Sequence, residues 1–271
     1  MLVLGIVFSS ILSLALILFL LYILIFVRPR ATAPKKSALL CDYAHRGLHG
    51  GTVPENSLEA FELACREGKG IELDVQLSRD GEVMVFHDYT LVRMTGVDKK
   101  LCELDASELS TLALANSEQR IPTFSEVLSL VDSRVPILVE LKGEDLSSEL
   151  CPKVAQMLLS YKGDYCIESF NPLLVKNIRK YIPDAYCGLL YTNVCREKKK
   201  KSALNIALTA MAFNFLARPD FIAYDKKDRN SFFVKLTTKF YRAPRFVWTV
   251  KNEEELKTAH SLGECPIFER E

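Results

Sequence analysis

A parallel (β/α)8 barrel, the TIM barrel, carried behind one membrane-spanning helix is the fold class this sequence predicts. Three observations carry it. Residues 2–27 (LVLGIVFSSILSLALILFLLYILIFV) contain no charged side chain. The rest of the chain alternates short apolar runs rich in Val, Ile, Tyr and Phe with helical patterns, which signals a parallel sheet. The ~235 residues after the apolar run also suit such a barrel as one unit.

Crossing ~30 Å of hydrocarbon takes ~20 apolar residues, and in lipid the backbone satisfies itself as a helix. Residues 1–27 are therefore assigned as a transmembrane helix. Ala31-Thr32-Ala33 resembles a leader-cleavage site, but no Lys or Arg precedes the run, which exceeds the ~7–15 residues of a signal core. Residues 28–40 (RPRATAPKKSALL) read as a juxtamembrane linker. Arg28, Arg30, Lys35 and Lys36 follow the span, so the positive-inside rule predicts a single-pass membrane protein with its domain, residues 41–271, in the cytoplasm. The eight cysteines (Cys41, Cys65, Cys102, Cys151, Cys166, Cys187, Cys195 and Cys265) form no Cys-x-x-Cys pair and read as free thiols of a reducing compartment. A net charge of +1 supplies no overall field for nucleic acid. Oligomeric state leaves no signal in the sequence.

Strands are expected at 40–44, 70–76, 83–86, 136–141, 165–169, 185–191, 221–224 and 246–250, with 266–268 as a ninth candidate for eight places. One candidate must be surplus or a hairpin arm, and 83–86 is the least secure barrel member, because Ser78-Arg79-Asp80-Gly81 has the turn chemistry of a hairpin. Helices are expected at 57–67, capped by Asn56 or Ser57; at 123–131, with Thr123 and Glu126 as a capping box; and at 147–159, 171–180, 202–216 and 252–262. Residues 88–120 show no clear strand and read as an insertion, after the third strand candidate, over one mouth of the barrel.

The candidate chemistry lies at strand ends. Residues two apart on a strand share a face, so Glu72 pairs with Asp74 and Glu140 with Lys142. His45 and Arg46 follow the first strand and His87 the third candidate. Barrels of this type build their sites at the C-terminal mouth, where all of these would meet. Glu72 and Asp74 sit among Ile71, Leu73 and Val75, where uncompensated carboxylates would be costly, so a metal or basic partner is needed. Three carboxylates without a Cys or His cluster favour a hard cation, Mg²⁺ or Ca²⁺, over zinc. His45 and His87 can act as acid and base near neutral pH. Arg46 and Lys142 can grip a phosphoryl group, or merely salt-bridge the carboxylates. His49 and His260 lack such company and read as loop and helix-surface residues.

The ordered motifs His45-Arg46-Gly47, Pro54-Glu55-Asn56, Glu72-Leu73-Asp74, His87-Asp88 and Glu140-Leu141-Lys142 resemble those of the glycerophosphodiester phosphodiesterase family. So do IPTFSEVLSLV, CIESFNP and VWTVKNEEEL further on, and the resemblance spans essentially everything after the linker. It implies catalytic roles for His45 and His87, and metal ligation of Mg²⁺ or Ca²⁺ by Glu72, Asp74 and Glu140. It implies phosphate contacts from Arg46 and Lys142, and a glycerol end lined by Phe170 and Trp248. Glycerol phosphate and an alcohol would be the products. Where family members often close with Ile-Thr-Asp, this chain has Ile267-Phe268-Glu269, which leaves the last loop open but no catalytic position.

Three functions follow as expectations: a membrane-anchored glycerophosphodiesterase, a lysophospholipase D with the same chemistry, and an inactive barrel used as a binding module. The intact polar set weighs against the last. Lys198–Lys201 precede an apolar helical pattern, and both this segment and the aromatic stretch 232–241 offer a second bilayer contact or an ordinary solvated loop and barrel helices.

Overall fold

The computed structural model describes residues 2–34, 37–143 and 149–270. Nine strands are present among them: β1 (Tyr43–Ala44), β2 (Gly70–Leu77), β3 (Val83–Val85), β4 (Ile137–Leu141), β5 (Tyr165–Ser169), β6 (Cys187–Tyr191), β7 (Phe221–Asp225), β8 (Arg245–Val250) and β9 (Cys265–Phe268). Eight of them pair in parallel in the order β1-β9-β8-β7-β6-β5-β4-β2, and β1 closes onto β2. β3 is the exception and runs antiparallel to β2 alone. The hairpin reading of Asp80-Gly81 is correct: Gly81 takes φ +81° and its amide donates to the Ser78 carbonyl at 3.0 Å. The ninth candidate supplies the eighth barrel strand.

Parity divides the barrel interior into two storeys. Tyr43, Leu138, Phe221 and Phe246 form an apolar, mostly aromatic floor, with the Phe221 and Phe246 ring centroids 4.2 Å apart. Gly188 has no room for a side chain, since a Cβ there would meet the Phe221 ring at 2.1 Å. Above the floor, register aligns Asp74 with Glu140 and Glu140 with Glu168 across β2, β4 and β5. The outward faces of these strands carry Ile71, Leu73, Val75, Val139 and Ile167 into the main core under the helices. Each such side chain contributes roughly 1.5–3 kcal/mol on burial, which is the energy that holds a carboxylate layer inside the barrel.

Most helices fall where expected, at Leu58–Arg66, Phe124–Val131, Leu150–Ser160, Pro172–Tyr181 and Glu253–Ser261. Ser57 caps the first, accepting from the Ala60 amide at 3.2 Å, and Thr123 with Glu126 forms the expected capping box. The start proposed at Ser147 lies outside the described residues. The single helix expected over 202–216 is broken into Ala203–Thr209 and Asn214–Ala217. Met211 adopts φ +53° between them, and the turn lets Asn214 Nδ2 donate to the Val27 carbonyl at 2.8 Å. Residues 88–120 hold short helical turns over their own apolar cluster of Phe86, Leu91, Met94, Leu101, Leu109 and Leu114.

The apolar N-terminal run is α-helical over Leu2–Tyr22 and continues as a π turn over Ile23–Val27. Its last turns are docked on the barrel. Val27 is fully buried, Tyr22 Oη donates to the Ala210 carbonyl at 2.7 Å, and Phe26 meets Phe215 edge-on at 5.1 Å. The amides of Arg30 and Ala31 then donate to the Pro219 carbonyl, so the linker begins against the N-terminal ends of the strands. Lys35 and Lys36 lie outside the described residues. All eight cysteines are free, as expected, and Cys65, Cys151, Cys166 and Cys187 are buried.

Candidate active site at the acidic mouth

Glu72, Asp74 and Glu140 present carboxylate oxygens within 4.8 Å of one another, and all three are buried. Like charges this close cannot all persist unaided. Burial first, then Asp74 and Glu140, pushes the Glu72 carboxyl well above the usual range. Burial likewise lifts Glu140 to about 7, against the pull of Lys142. Burial pushes Asp74 upward too, but there Lys142, His87, Arg46 and Asn56 together win and hold it low. Lys142 serves both almost equally, its Nζ 3.2 Å from Asp74 Oδ1 and 3.1 Å from Glu140 Oε1, so the split comes from His87, Arg46 and Asn56, which favour the Asp74 carboxylate.

The loop after β1 closes the other side. Arg46 takes φ +54° and Gly47 φ +81°, turning the chain so that the Arg46 amide donates to Glu72 Oε2 at 2.9 Å. The turn is tight because a Cβ on Gly47 would meet Ala60 Cβ at 2.8 Å. Arg46 Nη1 binds Glu55 at 2.9 Å while its Nε lies 3.7 Å from Asp74. Arg46 and Lys142 therefore do salt-bridge the carboxylates, and both still face the acidic layer.

His45 and His87 are held in the same manner. His45 Nδ1 lies 2.7 Å from Glu269 Oε1, and His87 Nδ1 lies 2.6 Å from Asp88 Oδ1. A carboxylate on Nδ1 fixes the tautomer that leaves Nε2 available. Burial lowers the pKa of both rings below the ordinary value. His45, Arg46, Glu72, His87, Glu140, Phe170 and Trp248 all line one cavity of about 100 Å³. Phe170 and Trp248 meet edge-to-face at 5.7 Å on its rim. With Asp74 and Lys142 in the wall beneath, every residue singled out from the sequence is brought together.

Several participants escaped the sequence reading. Glu168 lines the same cavity, fully buried, and its Oε2 has no hydrogen-bond partner. Its signal was present in CIESFNP, one strand over and in phase with Glu140. Asn56 is no helix cap: its Nδ2 donates to Asp74 Oδ2 at 2.9 Å, and the cap falls to Ser57. Gln76 Nε2 donates to the Phe86 and Asp88 carbonyls and so fixes the His87 loop. His49 is not without company, because the loop folds it beside His45 and Glu269. The Ile267-Phe268-Glu269 departure also bears on more than the last loop, since Glu269 is the partner of His45. His260 is a helix-surface residue, as expected, on Asp42.

A closed barrel whose mouth combines stacked carboxylates, two oriented imidazoles and two cations defines a class, the TIM-barrel phosphodiesterases. Residues 45–268 match the glycerophosphoryl diester phosphodiesterase family. The chain is 30% identical over 234 residues to a glycerophosphodiester phosphodiesterase of Caldanaerobacter subterraneus subsp. tengcongensis, covering 81% of this chain and 89% of that protein. It is 31% identical over 145 residues to a human lysophospholipase D, 48% of this chain and 45% of that one. In fold it is similar to an Oleispira antarctica phosphodiesterase solved with its product sn-glycerol-3-phosphate, with a TM-score of 0.68 at 22% identity over 84% of this chain and 92% of that one. The chain belongs to the glycerophosphoryl diester phosphodiesterase family and is a phosphoric diester hydrolase.

Proposed function

We propose that this protein hydrolyses glycerophosphodiesters to glycerol phosphate and an alcohol, with a divalent cation, at a membrane surface. The observation that carries the reading is the packing of three buried carboxylates within 4.8 Å, between two imidazoles and two cations. The donor set suits a hard ion: it is all oxygen, and Glu168 Oε2 beside it is a buried acceptor without a partner. Glu72, Asp74 and Glu140 would hold Mg²⁺ or Ca²⁺, which supplies Lewis-acid polarisation of a phosphoryl oxygen.

The chain's own residues do the rest. Arg46 and Lys142 offset charge that builds on the phosphoryl oxygens in the transition state. One histidine takes the proton of the nucleophile as its oxygen bonds to phosphorus; water gives glycerol phosphate directly, whereas the glycerol 2-hydroxyl gives a cyclic phosphodiester that water opens in a second step. The other histidine gives a proton to the alcohol oxygen as its bond to phosphorus breaks. Phe170 and Trp248 form the wall for the glycerol end. The segment 88–120 fences the site, for Arg93 binds both Glu55 and Asp88, the partners of Arg46 and His87. The docked N-terminal helix is the anchor, with the barrel on the cytoplasmic side.

Glycerophosphocholine turnover in Mg²⁺ or Ca²⁺ tests the reading. EDTA should abolish it, and His45→Ala and His87→Ala should each lower kcat by about 10²–10⁴-fold. Near wild-type turnover in both variants would sink the assignment. A lysophospholipase D activity with the same chemistry is the second reading, favoured by the aromatic seat that ties the barrel to an apolar helix.

A further inference from the structure

Two cavities meet at Phe170. One is the acidic cavity. The other, of about 250 Å³, lies behind it; its lining is mainly apolar, with Leu189, Val194, Leu208 and Met211, and also includes Glu197 and Lys198. Phe170 and Leu190 line both, so a single layer of side chains separates them. Phe170 is 44% exposed, and its edge-to-face partner across the rim is Trp248. A water-soluble diester has no use for a chamber with such walls. A substrate with a hydrocarbon tail does.

The far wall of this chamber is the segment that seats the N-terminal helix. Met211 and Asn214 line it. Asn214 also holds the Val27 carbonyl, and Ala210 accepts from Tyr22. The helix has a direction as well. Arg30 and Ala31, just beyond its end, sit at the N-terminal ends of the strands on Pro219. Phe19 packs on Phe232, which follows the C-terminal end of β7, at 6.3 Å between ring centroids. Residues before Phe19 therefore run on past the catalytic mouth, and a bilayer that takes them lies on that side. Leu204, Ile206 and Phe232 are exposed apolar side chains on the same loops.

We propose that the chamber behind Phe170 is an acyl-chain subsite, for a lysophospholipid whose phosphodiester occupies the acidic cavity and whose tail runs toward the bilayer. The proposal rests on the phosphodiesterase reading above and names its substrate class. Each methylene moved from water into such a chamber is worth about fourfold in binding. Short tails should therefore be distinguished steeply by length until the chamber is full.

The test uses the full chain in nanodiscs and monomeric 1-acyl lysophosphatidylcholines of four to twelve carbons, with glycerophosphocholine as the tail-free reference. The expected result is kcat/KM rising by about fifteenfold per added carbon pair and then levelling. Val194→Phe and Leu208→Phe, which fill the chamber, should each cut the lysolipid-to-glycerophosphocholine ratio of kcat/KM at least tenfold. A flat length profile, or equal losses on both substrates, would overturn the subsite. Trp248 is the only tryptophan of the chain and touches Phe170. Its emission gives a readout that needs no turnover. Decylphosphocholine below its micelle threshold should shift it saturably in the wild type and more weakly in Leu208→Phe. No saturable shift overturns the subsite, whereas absent turnover of every diester with the shift intact sinks only the phosphodiesterase reading.

Discussion

His45 Nδ1 and Glu269 Oε1 lie 2.7 Å apart across 224 residues of chain. The contact ties the first barrel strand's loop to the last one's and aims the opposite ring nitrogen toward Glu72, whose Oε2 is 4.0 Å from Nε2. His87 repeats the arrangement with its own neighbour Asp88. A local pair at one histidine and a long-range pair at the other make Glu269 the more informative position to change.

Glu269→Gln should lower kcat by about 10–100-fold, the usual cost of removing a carboxylate that orients a functional imidazole. Its carboxylate raises the affinity of His45 for protons, against burial, which lowers it. Removing that charge should move the His45 limb of the pH–rate profile to lower pH. Glu269 is itself held down at about 2, first by its bond to His45. Its folded-state value is thus below the unfolded one, so the stability it adds is present above about pH 4.5 and is lost as pH falls toward 2. In Glu269→Gln, Tm should fall less steeply as pH is lowered across that window. An unchanged pH–rate profile would remove Glu269 from the site.

Glu140 predicts how metal and proton compete. Burial lifts its carboxyl to about 7, so the folded protein binds a proton there that the unfolded chain has lost by about pH 4.5. The sign follows: this group takes stability away as pH rises from about 4.5 to 7 in the metal-free protein. A bound cation needs the carboxylate and displaces that proton. The rise in Tm on adding Mg²⁺ or Ca²⁺ should therefore be larger at pH 7.5 than at pH 5, and the activating metal concentration should fall as pH rises. A metal-induced shift of equal size at both pH values would separate Glu140 from the metal.

Much of the site was legible because strand parity is a strong rule. Glu72, Asp74, Glu140 and Lys142 share one face by counting in twos, and β2 and β4 carry them to the same mouth. The hairpin demotion of residues 83–86 followed from Asp80-Gly81 alone. What sequence could not supply is contact across the barrel. Glu168 becomes part of the acidic layer through the β4–β5 register, and Glu269 becomes a histidine partner through β1–β9 closure. Sequence leaves Asn56 and Ser57 as equal candidates for the helix cap because capping is a local pattern, while the bond of Asn56 to Asp74 is set by the positive φ of the loop. The broken 202–216 helix has the same origin. Its periodicity is intact, but the N-terminal helix needs a seat there.

Lys198, Lys199, Lys200 and Lys201 are exposed, whereas Arg196 is drawn away to Asp225 and Asp228. With Leu204 and Ile206 exposed just beyond, the segment offers headgroup and interface contacts together. A chain lacking only residues 1–18, which keeps the docked turns around Tyr22 and Val27, should float with anionic vesicles at low salt. Lys-to-Gln changes at all four positions should weaken that binding at least tenfold, given ~1 kcal/mol per basic residue near an anionic surface. Equal flotation with and without the four lysines would leave them a solvated loop.

Gly47 occupies the turn of the site where any other residue would be strained. Its φ of +81° is open to glycine and poorly open to other residues, and a Cβ would stand 2.8 Å from Ala60 Cβ and 2.9 Å from the Ala60 carbonyl carbon. Ala60 belongs to the helix whose start Ser57 caps, and its carbonyl accepts the Leu48 amide at 2.9 Å, so the clash cannot be relieved by turning a side chain. Gly47→Ala should therefore lower stability by roughly 1–3 kcal/mol from the backbone alone, and by more from the contact. Because the same turn aims the Arg46 amide at Glu72, kcat should fall together with Tm. A Gly47→Ala protein with wild-type Tm and turnover would show that the loop can re-form elsewhere, and that the close approach to Ala60 does not set the position of Arg46.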